Sequence, residues 1–193
     1  MEICTIVNDW RASVAGGTAL LLWEACCIPS LLHGAGTWVE MSRETERRLK
    51  SLQQWYLRLV LQVGPGAPLP SLLWDFHCLE MGLRVDREKV MLALHCRRLG
   101  EDSLAGKCYK EQQVKGWPGL AKEASDICEK LGIESCDVTS LGKGDYRKVV
   151  TNACQKLNEE RLRTRAGANR NVKELLARNI RRRPMCQRRI WRM

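Results

Sequence analysis

A chain of 193 residues, 45% hydrophobic and 28% charged, leaves room for one domain, or one domain with a tail. The net charge of +10 is gathered at one end, because residues 157–193 hold 12 of the 32 Lys and Arg but three of the 22 Asp and Glu. Ten Cys could signal a secreted disulfide framework, but nothing in the chain licenses secretion.

The start of the chain carries Glu2 and Asp9 where a signal peptide needs cations. The apolar run Ala19–Trp23 stops at Glu24, and the stretch 17–32, broken by Glu24 and Pro29, is too short to cross a bilayer. The expectation is an intracellular protein of the cytoplasm or nucleus with reduced thiols and no membrane association. A helical patch over Ala19–Cys27 should end or bend at Pro29, and Gly34-Ala35-Gly36 should turn.

The clearest helix begins at Ser42, a good N-cap, with Glu44 and Glu46 in its first turn. Leu49, Leu52, Tyr56, Leu59 and Val63 recur at spacings of three and four and define an apolar face. Arg43, Arg47, Lys50 and Arg58 fall largely off it. The helix should reach roughly 30 Å before Gly64-Pro65-Gly66 stops it.

Four further helices follow: a short one over Ser71–Phe76, one over Val85–Leu99, one after Glu101-Asp102-Ser103, and one opening at Trp117-Pro118. The third is expected to place Leu104, Cys108 and Tyr109 on one side. The fourth carries the stripe Leu120, Ala124, Ile127, Cys128 and Leu131. After a polar stretch at 133–144, a last helix should span Asp145–Arg163 over Val149, Val150, Ala153 and Leu157. No alternating run reads as a strand and no internal repeat is present. From Ala166 the chain turns to Arg, Asn and Met without an apolar stripe, which reads as a flexible tail with a helical turn at Val172–Ala177.

Catalytic chemistry is sparse in the pattern. Asp75, Asp86, Asp102, Asp126, Asp137 and Asp145 are scattered over helix starts and loops, where capping is their default role, and form no cluster for a two-metal site. Cys26-Cys27, His77-Cys78 and His95-Cys96 are adjacent pairs, and no CxxC occurs. Cysteine as a small buried hydrophobe is the simpler account. There is no phosphate-cradling glycine loop and no GxSxG elbow. The expectation is therefore no catalytic residue, no metal, no cofactor and no small-molecule substrate.

What remains is charge. Arg181, Arg182, Arg183, Arg188 and Arg189, with Trp191 among them, form an arginine-rich end. Arginine beside a stacking aromatic suits RNA or single-stranded nucleic acid, and the RRRP run at 181–184 also has the form of a nuclear-import signal. A solvated tail with no partner is the plain alternative.

The run from Trp23 to Trp38, WEACCIPSLLHGAGTW, resembles a block just after the catalytic palm of reverse transcriptases of non-LTR (LINE-type) retrotransposons of invertebrate type. The likeness takes in Asn8-Asp9-Trp10-Arg11 and Gly16-Gly17 before the block. After it come Leu52-Gln53, Leu57-Arg58-Leu59 and the run QVGPGAP at 62–68. Leu73-Trp74-Asp75, Met81-Gly82-Leu83-Arg84, Glu111-Gln112 and the run WPGLA at 117–121 complete it.

The resemblance covers about residues 1–160 and implies a thumb-like helical bundle that contacts template–product duplex, without the palm carboxylates. It divides the chain into a thumb-like segment 1–66, a helical post-thumb region 67–163 and an Arg-rich tail 164–193. The expected fold is all-α, an irregular helical bundle. The expected function is a catalytically inactive fragment of an RNA-directed DNA polymerase that binds RNA or DNA backbone without sequence preference. Candidate contacts are Arg43, Arg47, Lys50, Arg58, Arg181, Arg182, Arg183, Arg188 and Arg189. The alternatives are a helical protein-interaction module that self-associates through Trp23, Trp38, Trp55 or Trp74, and a translated remnant without function.

Overall fold

The computed structural model describes residues 16–38, 40–61, 63–133 and 142–167, and every regular element among them is helical. The fold is all-α. In chain order the helices are α1 (Gly16–Leu22), α2 (Ile28–Leu31), α3 (Arg43–Leu61), α4 (Leu69–Asp75), α5 (Met81–Leu99), α6 (Leu104–Lys115), α7 (Leu120–Leu131) and α8 (Lys143–Gly167). No described helix is long and apolar enough to cross a membrane. The chain forms two compact units, one drawn from residues 1–33, 54–76 and 162–193, the other from 34–53 and 77–161.

In the first unit Pro29, expected to end or bend the helix, does not end it. A single π-helical turn, Trp23–Cys27, joins α1 to α2, and the Ile28 amide donates to the Trp23 carbonyl one residue further back than in an α-helix. The widened turn makes room for a ring that would otherwise strike the preceding turn. The turn also sets Trp23 (3% exposed) flat on Tyr56, with ring centroids 4.2 Å apart and planes 16° apart. The Tyr56 hydroxyl donates to the Ala19 carbonyl at 2.6 Å. Leu57, Leu72 and Leu73 are also buried in this unit, and each buried Leu is worth about 1.5–3 kcal/mol relative to exposure.

Of the four tryptophans expected on a sticky surface, Trp23 is buried in that stack, Trp38 and Trp74 are half-buried, and Trp55 is exposed. Its place in the core removes Trp23 from that surface.

In the second unit the main core gathers Leu79, Leu83, Val90 and Leu94 around Ile127, Tyr146, Val150 and Cys154. Cys154 is the small buried hydrophobe that the sequence suggests; its thiol donates to the Leu83 carbonyl, and burial pushes it up to about 11. A smaller cluster joins Ala93, Tyr109, Ala121 and Ala124. Three alanines there let α5 and α7 close on the Tyr109 ring.

Helix starts divide into local and tertiary kinds. Ser42 caps α3 through the Thr45 amide at 3.1 Å, and Ser103 caps α6 through the Gly106 amide at 3.0 Å. Helix α5 begins at Met81, four residues before the periodicity predicts, with no capping side chain of its own. Instead Gln53, fully buried, accepts from the Met81 amide at 3.2 Å and donates to the Leu79 carbonyl at 2.8 Å. Asn158 from α8 does the same one residue earlier, accepting from Glu80 at 3.4 Å and donating to Cys78 at 3.1 Å. Arg84 adds a bond to the Leu79 carbonyl. Two side-chain amides thus hydrogen-bond segment 78–81 as flanking peptides would, and satisfy the Cys78 and Leu79 carbonyls and the Glu80 and Met81 amides.

Helix α6 departs from expectation. Tyr109 is buried, but Leu104 (79% exposed) and Cys108 face solvent. The helix is turned by Gly106, whose absent side chain lets it lie on the Gly100 carbonyl; a Cβ there would come within 1.8 Å of that oxygen. Helix α8 runs longer than expected at both ends, and Val149, read as apolar-face, is 39% exposed beside fully buried Val150.

Candidate nucleic-acid interface

The first turns of α3, in the second unit, carry the charged residues that matter. Arg43 is exposed. Glu44 is shared by two guanidinium groups: Arg47 reaches Oε2 at 2.8–2.9 Å and Arg48 reaches Oε1 at 2.8 Å. Both arginine side chains stay more than three-quarters exposed. Two guanidinium groups on one carboxylate, with Arg43 exposed in the same turn, leave a local positive surplus. Exposed pairs of this kind contribute about 0–1 kcal/mol, so a phosphate can take over either guanidinium at little cost.

Lys50 points elsewhere. It binds Glu46 at 2.7 Å and the buried Glu80 at 3.4 Å. Desolvation pulls its ammonium down, but the hydrogen bonds and charges of Glu46 and Glu80 outweigh it and the net shift is upward. The Lys50 hydrogen bond holds the Glu46 carboxyl below its usual range, against some desolvation. Lys50 therefore anchors the turn into α5. Arg58, in the first unit, donates through Nε and Nη2 to the Ala67 carbonyl at 3.2 and 2.8 Å and closes the 64–67 turn.

Of the four helix residues singled out from the sequence, Arg43 and Arg47 stand on open surface, whereas Lys50 and Arg58 hold backbone and carboxylate partners. Sequence reading passed over Arg48, although its i,i+4 spacing from Glu44 marks it for the same face. Arg181, Arg182, Arg183, Arg188 and Arg189 lie outside the described residues, as does the turn at Val172–Ala177.

No protein-family model, curated protein or solved structure matches this chain. Its own residues carry the functional argument. Among the described residues, no three His, Cys, Asp or Glu side chains lie close enough together to hold a metal ion. His77-Cys78 and His95-Cys96 accordingly form no joint site there. No two of the seven described cysteines are joined in a disulfide. The chemistry available at the start of α3 is charge-assisted hydrogen bonding to an anion.

Proposed function

We propose that the chain is a remnant of the thumb and post-thumb region of a non-LTR retrotransposon reverse transcriptase. It acts without catalysis, by contacting RNA or DNA backbone through Arg43, Arg47 and Arg48 together with the arginine-rich end. The observation that carries the binding half is the pair of exposed guanidinium groups, Arg47 and Arg48, that share the Glu44 carboxylate at the start of α3, with Arg43 exposed in the same turn. The order and spacing of the sequence blocks support the origin, and the all-helical fold agrees with a thumb. Contacts of this type position a nucleic acid and read no sequence.

The test is fluorescence anisotropy with a short duplex between 50 and 200 mM salt. Each neutralised phosphate contributes about −0.9 to the slope of log K against log salt. The Arg43→Gln, Arg47→Gln, Arg48→Gln triple variant, altered only on exposed side chains, should flatten that slope by about two to three. Salt-insensitive binding by the wild type, or an unchanged slope in the variant, overturns the proposal. Polymerisation assays with template, nucleotides and Mg²⁺ or Mn²⁺ should show no product.

A further inference from the structure

Helix α6 is apolar on two opposite sides. Gly106 and Tyr109 bury one side within the second unit, whereas Leu104 and Val114 stand 79% and 78% exposed on the other. At about 3.6 residues per turn the exposed stripe runs Leu104, Lys107, Glu111, Val114. Its steps of three, four and three residues are the a/d repeat of paired helices. Lys107 and Glu111 are exposed as well. The stripe is also symmetric about Tyr109, with Leu104 and Val114 five residues to either side and Lys107 and Glu111 two.

We propose that α6 pairs antiparallel with α6 of a second copy of this chain about a two-fold axis, placing Leu104 beside the partner's Val114 and Lys107 beside the partner's Glu111.

In an antiparallel pair each a position shares a layer with a d position of the other helix, so the stripe read backwards must complement itself. Here reversal sets apolar beside apolar at both ends and cation beside anion in both central layers. A parallel pair would set Lys107 beside lysine and Glu111 beside glutamate, which repel. A single exposed Leu or Val is ordinary. The charge-matched register between the two selects a second copy over an unrelated partner. Within its own helix Glu111 meets Lys115 at 3.8 Å, an exposed pair weak enough to leave the carboxylate available. Helix α6 has 12 residues and is about 18 Å long. The contact therefore falls at the small end of specific interfaces, below about 1,200 Å², and the dimer is weak and reversible.

Sedimentation equilibrium decides it, on nucleic-acid-free full chain from about 10 μM to about 1 mM in about 0.15 M salt. The wild type should show a monomer–dimer equilibrium. Lys107→Glu and Glu111→Lys should each weaken it about tenfold, because both symmetry-related pairs turn repulsive. An equimolar mixture of these two variants should dimerise at least as tightly as the wild type, since every central pair is again of opposite charge. A loss of helix stability in either variant could not produce that recovery. Leu104→Gln combined with Val114→Gln should leave only monomer. All four side chains are exposed, and far-UV circular dichroism matching the wild type checks that each variant is folded. A wild-type monomer throughout the range, an unchanged dimer in any of these variants, or a mixture as weak as its components overturns the proposal. Arg43, Arg47 and Arg48 are untouched by these changes, so the nucleic-acid reading is tested separately.

Discussion

Replacing Gln53 with Met removes two amide contacts while keeping side-chain length, so the polar part of the clamp on residues 78–81 can be measured with little added void. The bond to the Leu79 carbonyl is lost, but that oxygen retains Arg84 Nε at 3.1 Å, so the net cost there is about 1 kcal/mol. The Met81 amide loses its acceptor inside the core, a desolvation penalty of about 1–3 kcal/mol. Together these predict a loss of about 2–4 kcal/mol, or roughly 10 °C in Tm for a chain of this size. Urea unfolding followed by far-UV circular dichroism measures the total, and amide hydrogen exchange locates it. The Met81 amide should exchange markedly faster in the variant under native conditions. A loss below about 1 kcal/mol, or unchanged protection at Met81, would refute the view that a side chain from α3 starts α5.

Three further outcomes follow from the same structure. Gly106→Ala should destabilise by about 3 kcal/mol on thermal melting despite the better helix propensity of Ala, because its Cβ would collide with the Gly100 carbonyl. Lys89 is buried against Glu123, which also accepts from the Glu40 amide. Glu123→Leu should therefore cost about 3 kcal/mol in urea titration by stranding a buried ammonium, and the Lys89→Met, Glu123→Leu double variant should recover most of it. Tyr56→Phe should cost about 1 kcal/mol through the lost bond to Ala19 and also alter the alkaline limb of stability. Desolvation, with a smaller effect of Cys27, raises the folded phenol from 10 to about 12. The unfolded chain therefore ionises first, and wild-type stability falls from pH 10 and levels off above pH 12. Matching melting profiles for wild type and Tyr56→Phe between pH 9 and 11 would contradict this.

Helix positions were legible wherever the signal was local. Ser42 and Ser103 cap the helices they precede, Gly132 follows α7 in a left-handed conformation, and the α7 stripe buries Ala124 and Ile127. Legibility failed where long-range contacts decide. Gln53 is polar in an otherwise readable amphipathic helix, and only the 78–81 backbone explains its burial. The early start of α5 is the other half of that fact. Pro29 reads as an end or a bend, and the sequence does not tell the two apart because a π turn has no sequence signature. At the candidate interface, exposure could be inferred for Arg43 and Arg47, but the partners of Lys50 and Arg58 lie on Glu80 and Ala67 and required the fold.

The amide of Asn158 lies 80 positions beyond the Cys78 carbonyl it secures. At ribosomal speeds of about 5–20 residues per second, the peptide groups of 78–81 emerge roughly 4–16 s before their second clasp is synthesised. Until then one edge of that segment can be satisfied only by water, so the second unit closes late during translation. A chain cut short ahead of Asn158 would carry α1 to α7 complete, yet its larger core would stay unsealed.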